Sequence, residues 1–279
     1  QVQFKHFTPY EGVLSRGYTK AAVWIKVDIT PPPNAQADDP LMVRIKPIFL
    51  DEIKLFDPLD TRGVPRVAGD TTAFSHKEFN SLFYTFVVPA GQSPRSIWLR
   101  VVTTSTTMVD VQTFTHADMV QEEFEFQIFA FGVLAIIGMF FLHVLISWIN
   151  YRESLYALFV VRQFYLFGFT AALFGLHRYL LHDYLSPTQL DAAFSWLVIG
   201  ATFISFWFES TLLRENTSSK LGRWILSGLP LSALVVCLVM TLGFTLEALK
   251  LNITLCISGM LAFLLISVCC IDKPNTKQS

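Results

Sequence analysis

Five apolar stretches, each close to or longer than the ~20 residues that carry a helix across a bilayer, fill the sequence beyond Phe124 and limit what the chain can fold into. They run from Gln127 to Ile149, Ser154 to Leu176, Leu190 to Leu212, Trp224 to Thr245 and Leu249 to Cys270. Residues 1–122 instead mix charges, prolines and aromatics as a water-exposed domain does. The 52% hydrophobic and 15% charged composition therefore averages two solvents. The expected organisation is an outer domain at 1–122, a transmembrane bundle at 123–271 and a cytoplasmic tail at 272–279.

Basic residues orient the bundle. With residues 1–122 outside, the inner segments hold Arg152, Arg214, Lys220, Arg223, Lys273 and Lys277, and the outer connections only Arg178 and Lys250. This agrees with the positive-inside rule. All four cysteines lie in the apolar half, so the outer domain is held by its core without a disulfide. The first methionine is Met42, which we read as the mark of a removed secretory signal peptide.

Three ionisable side chains inside the spans need partners. At 1.5 Å rise per residue, His143, Arg162 and Glu209 lie about 9, 12 and 5 Å from the inner ends of their helices. An Arg162–Glu209 ion pair with His143 nearby is expected. Its role is open between fixing helix packing, an arginine that snorkels to the interface, and a proton or ion path. His177, His182 and Asp183 fall in an outer loop and are read as merely polar rather than as metal ligands; no metal is expected.

Before the membrane the chain reads as strands at Ala21–Ile29, Met42–Phe49, Ile53–Phe56, Leu82–Val88, Ile97–Val102 and Val109–Phe114, separated by turn-rich TPPPNAQADDP, DPLDTRG and VPAGQSP. No helical period is evident there, and the spacing argues for an antiparallel β-sandwich. Side chains alternate across a strand. Val23, Ile25, Val27 and Ile29 therefore share one face and Trp24, Lys26 and Asp28 the other. Ile97, Leu99 and Val101 oppose Trp98 and Arg100, and Ile53 and Leu55 oppose Glu52 and Lys54. Tryptophan beside charges suits carbohydrate, since the ring stacks on apolar sugar faces while charges bind hydroxyls. The same face could instead be covered by the amino-terminal segment or a loop, or serve as a dimer interface.

The segments GYTKAAVWIKVDI at 17–29, PIFLDEIKLFDP at 47–58, GQSPRSIWLRV at 91–101 and VQTFTHADM at 111–119 resemble the extracellular type 2 domain of bacterial 7TMR-DISM receptors. GVLAIIGMFFLHVLISWINYRESLYALF at 132–159 resembles the start of that family's membrane domain, with the glycine, the RES turn and Tyr156 in place. The resemblance covers most of residues 15–215. It implies a jelly-roll outer domain similar to carbohydrate-binding modules, coupled through the membrane to a cytoplasmic diguanylate cyclase or histidine kinase, with Trp24, Glu52 and Lys54 facing the ligand. His143 and Val144 depart from the family's Tyr-Asn. The family has seven membrane helices where this chain has five, so the resemblance implies a truncated receptor or a shortened relative.

No Gly-rich phosphate loop, GGDEF-like run, nucleophile elbow, HExxH pair or phosphoacceptor histidine helix occurs in the sequence, so no catalysis and no cofactor are expected of it. A net charge of −1 offers no field for nucleic acid. The expected partners are the lipid bilayer, a carbohydrate or other small extracytoplasmic ligand, and a second copy or another membrane protein. The expected function is a sensory receptor of the bacterial inner membrane, its amino-terminal domain periplasmic. The ligand-facing residues are Trp24, Lys26, Glu52, Lys54, Trp98 and Arg100. Two other classes compete: a non-signalling subunit that recruits a partner through the sandwich, and a transporter with an outer lid, which would want aligned intramembrane polar residues.

Overall fold

The computed structural model describes residues 7–19, 21–33, 36–61, 63–72 and 77–271. The tail expected at 272–279 lies outside the described residues. Among the described residues eight strands come first: β1 (Leu14–Tyr18), β2 (Val23–Ile29), β3 (Pro40–Lys46), β4 (Glu52–Phe56), β5 (Arg66–Ala68), β6 (Tyr84–Pro89), β7 (Arg95–Val102) and β8 (Thr106–Thr115). Six helices follow among them: α1 (His116–Tyr151), α2 (Ser154–Leu173), α3 (Leu176–Leu181), α4 (Pro187–Arg214), α5 (Lys220–Thr241) and α6 (Thr245–Ile271). All but α3 are long and apolar enough to cross a membrane.

The strands form two antiparallel sheets, ordered β1-β8-β3-β6 and β2-β7-β4-β5. Strand 1 pairs with 8, 2 with 7, 3 with 6 and 4 with 5, the pattern of one long antiparallel ribbon rolled on itself; the added β3–β8 and β4–β7 pairs make it a jelly roll. Alternation fixes the inner faces as expected. Val43, Ile45, Ile53, Leu55, Phe86, Val88, Ile97, Leu99 and Val101 form one buried core. Each such side chain contributes about 1.5–3 kcal/mol by leaving water.

The two sheets differ on their outer faces. In β3 even the outward residues are buried: Met42 is 2% exposed and Arg44 1%. Side chains of β8, Phe83 and the first part of α1 cover Arg44. Arg44 donates to Gln112 Oε1 at 2.7 Å and to Glu122 Oε2 at 3.2 Å, with its guanidinium 4.5 Å from the Phe114 ring centroid. Glu123 accepts from Leu82 N at 2.7 Å and Ser81 Oγ at 2.8 Å, and Phe83 packs on Phe126. The helix thus begins well before Gln127, where the apolar run alone would start it. Thr115 caps it, its Oγ1 accepting from Asp118 N and donating to the Asp118 carboxylate. Strand β8 passes into α1 with no intervening loop.

The loop expected to be merely polar between the second and third spans is in fact folded onto the sandwich. Residues Gln1–Phe131 and Ala172–Ala192 form one compact unit, and Gly132–Ala171 with Ala193–Ser279 a second. In the first unit α3 inserts Arg178, 6% exposed, against the sandwich. Its guanidinium donates to Tyr84 Oη at 2.6 Å, Gly69 O at 2.9 Å and Thr72 O at 3.2 Å. Two glycines permit this. At Gly175 (φ 82°) a Cβ would lie 3.1 Å from the Leu82 carbonyl oxygen, and at Gly69 (φ 147°) it would lie 2.1 Å from that of Asp51. His177, expected in an exposed loop, is half-buried.

Within the second unit, the expected RES turn joins α1 to α2 through Arg152 at φ 57°, its N–H donating to Trp148 O at 2.8 Å. Helix α4 meets α6 through Phe206 and Phe263, 5.4 Å apart between centroids.

Candidate functional site: the outer face of the second sheet

Strands β2, β7 and β4 set the six sequence-expected residues side by side on one face. Pairing register places Trp24 beside Arg100 and Arg100 beside Lys54 in one row, and Lys26 beside Trp98 and Trp98 beside Phe56 in the next. Glu52, at the end of β4, accepts from Arg100 Nη1 at 2.7 Å and pairs with Lys54 Nζ at 2.8 Å. Lys26 pairs with Asp28 at 2.9 Å, and Asp28 also accepts from Ser96 Oγ at 2.6 Å. The Lys54 hydrogen bond, with Arg100 behind it, holds the Glu52 carboxyl below the usual carboxylate range. The Ser96 and Lys26 bonds do the same for Asp28. Both are therefore anionic at neutral pH, and the face presents fixed, paired charges.

Two aromatic pairs flank these charges. Trp24 stacks on Phe56 with centroids 5.6 Å apart and planes 30° from parallel. Phe7 meets Trp98 edge-on at 5.1 Å. The amino-terminal segment therefore leans on one tryptophan, as one of the alternatives from sequence has it, and the second rests on its own sheet. Both indoles are only partly buried, as are Phe56, Glu52, Lys54 and Arg100. Alternation continued one step along β4 would have found Phe56, which shares parity with Glu52 and Lys54. Phe7 precedes the first strand, where parity has no hold. Chemically the arrangement offers flat apolar rings beside hydroxyl-binding charges, with bonding geometry set by the sheet.

The intramembrane residues divide. Arg162 Nη2 lies 3.3 Å from Glu209 Oε1, and its guanidinium is 5.0 Å from the centroid of Phe208, which stacks on Phe159 at 4.8 Å. His143 is exposed on α1 and does not join the pair. The ion pair predicts thermodynamic coupling: Arg162→Met and Glu209→Gln should each lower thermal stability, and the double variant should cost less than their sum by about 1 kcal/mol or more. Additive losses in a double-mutant cycle would refute it.

Residues 1–115 match the family described as 7TMR-DISM extracellular 2. No curated protein matches the chain.

Proposed function

Starting from an amino-terminal domain that belongs to the 7TMR-DISM extracellular 2 family and precedes five membrane-spanning helices, we propose that the chain is the sensing and membrane-embedded part of a receptor. The domain faces outward. On this reading it lies in the periplasm of a bacterial inner membrane, with the carboxyl-terminal end in the cytoplasm. A carbohydrate or similarly hydroxylated small ligand binds the outer face of β2, β7 and β4. The observation that carries this is the asymmetry of the two sheets: the outward Met42 and Arg44 of β3 are buried, whereas the rings and charges of the other sheet stay partly open.

Binding shifts a packing equilibrium that α1 carries into the helix bundle, since β8, the Thr115 cap and the Glu122 and Glu123 anchors leave no slack between sensor and helix. A cytoplasmic output, such as a diguanylate cyclase or histidine kinase, reads the bundle. Titration of a glycan panel into the full chain in nanodiscs, followed by calorimetry, tests the ligand class. Trp24→Ala and Trp98→Ala should each weaken a bound glycan about tenfold, the loss of one stacking contact of roughly 1–1.5 kcal/mol. Glycan affinity unchanged in both variants would reject this face as the site.

A further inference from the structure

The Arg178 socket contains a second buried ionisable group that the receptor reading does not use. Asp70, 5% exposed, follows Gly69, whose carbonyl receives the Arg178 guanidinium. Its backbone N–H donates to Leu50 O at 2.9 Å, but among the described residues its buried carboxyl Oδ1 has no hydrogen-bond partner, nor has Nε of Arg178. A buried polar atom without a partner carries a large penalty, and the penalty is far larger for a charge. Burial without a partner thus favours the neutral carboxyl of Asp70 over its anion, against the pull of the Arg178 guanidinium.

We propose that the outer hairpin 172–192 is a proton-sensitive latch: Arg178 pins it to the sandwich, and ionisation of Asp70 beneath the pin favours its release. Among the described residues, the groups around Asp70 come from several elements. Arg178 reaches it from α3, Asp191 from α4, Asp51 from the turn before β4 and Tyr84 from β6, while His177 on α3 faces Arg178. Lys77 faces Arg178 and Glu123 from the loop before β6. Asp51 is already committed, accepting from Thr103 Oγ1 at 2.8 Å and from Thr104 N and Oγ1 at 3.0 and 2.9 Å, so it repels a second anion rather than sharing a proton.

Burial first, and then the charges of Asp191 and Asp51, push the Asp70 carboxyl up to about 8, against the pull of Arg178 and a bond from Thr71. A solvated aspartic acid releases its proton near 4, about where an undocked Asp70 would. Between these values the docked form holds more protons, so its stability is greatest at acid pH and is lost as pH rises toward 8. Two neighbours act in the opposite sense. Burial and then the Arg178 charge hold His177 down to about 4, so acidification from about 6.5 favours release. Burial and then Arg178 hold Lys77 down to about 7, so alkalinity above that favours docking. Only a comparison that removes Asp70 alone isolates its effect.

The test is hydrogen exchange of residues 174–186 in the full chain in nanodiscs, from pH 5 to pH 8.5, corrected for intrinsic exchange. Hairpin opening in the wild type relative to Asp70→Asn should rise with pH, by up to about tenfold per unit, and level off above about 8. His177 and Lys77 cancel in that ratio. A flat or falling ratio overturns the proposal. Protection of the Ile53, Leu99 and Val101 amides verifies that the variant is folded. If Asp70→Asn loses that protection, Asp70→Ser takes its place as the reference, since its short hydroxyl likewise leaves no carboxyl to ionise. Opening of the wild type relative to that variant should show the same rise, and a flat or falling ratio overturns the latch.

Discussion

Arg178→Ala is expected to destabilise the outer unit by about 3–5 kcal/mol, the cost of stripping a buried, charge-bearing donor from its acceptors. The substitution removes three hydrogen bonds and a cation–π contact with the Tyr84 ring at 5.3 Å. It also leaves the Gly69 and Thr72 carbonyls facing a cavity in the place of the guanidinium. The hairpin loses its pin, so exchange of 174–186 should rise far more than that of the sandwich core. Arg178→Lys should recover only part of the loss, because an ammonium cannot reproduce the planar fork that reaches a hydroxyl and two carbonyls at once. Arg16→Ala, at an exposed position in β1, serves as the control and should change stability by less than about 0.5 kcal/mol. Melting of Arg178→Ala within that margin would show that the docked hairpin adds nothing to the fold.

What could be read in the sequence, and what could not, follows from which residues carry periodic information. Strands with clean alternation, VWIKVDI and RSIWLRVV, disclosed both the core and the face that bears Trp24, Lys26, Trp98 and Arg100. β1 escaped notice because a bulge between Ser15 and Gly17 breaks its register, and β5 because three residues carry no period. Arg44 gave no signal of full burial. Its parity marks it as outward, and Gln112, Phe114, Phe83 and the start of α1 together turn outward into buried. The early start of α1 was legible in principle, since Thr115 followed three residues later by Asp118 is a capping pattern. The docked hairpin was not. A lone arginine in a short loop reads as a topology marker, and its buried acceptors are backbone carbonyls and a tyrosine hydroxyl from distant strands.

The contacts at the start of α1 decide where the outer unit can be uncoupled from the helices. An insertion at Glu122 would itself break the Arg44 contact and disturb the Glu123 anchor. A Gly-Ser stretch after Glu125 leaves both in place and gives up only the Phe126 ring contacts with Phe83 and Phe174, since Glu125 itself accepts from nearby Gln121 Nε2 at 3.0 Å. There are two routes by which the outer unit continues into the apolar helices: α1, and the hairpin that Arg178 pins. The insertion loosens the first, and Arg178→Ala the second.

The decisive measurement is hydrogen exchange across Gly132–Ala171 and Ala193–Val268, with and without the glycan that binds the chain most tightly. It should be made on the wild type, the Glu125 insertion, Arg178→Ala and the two combined. Glycan should alter exchange in the wild-type helices, less in each single variant and not at all in the combination, while the affinity for glycan stays within about threefold. An undiminished response in the combined variant, or a wild type that binds glycan with no change in its helices, would contradict the account.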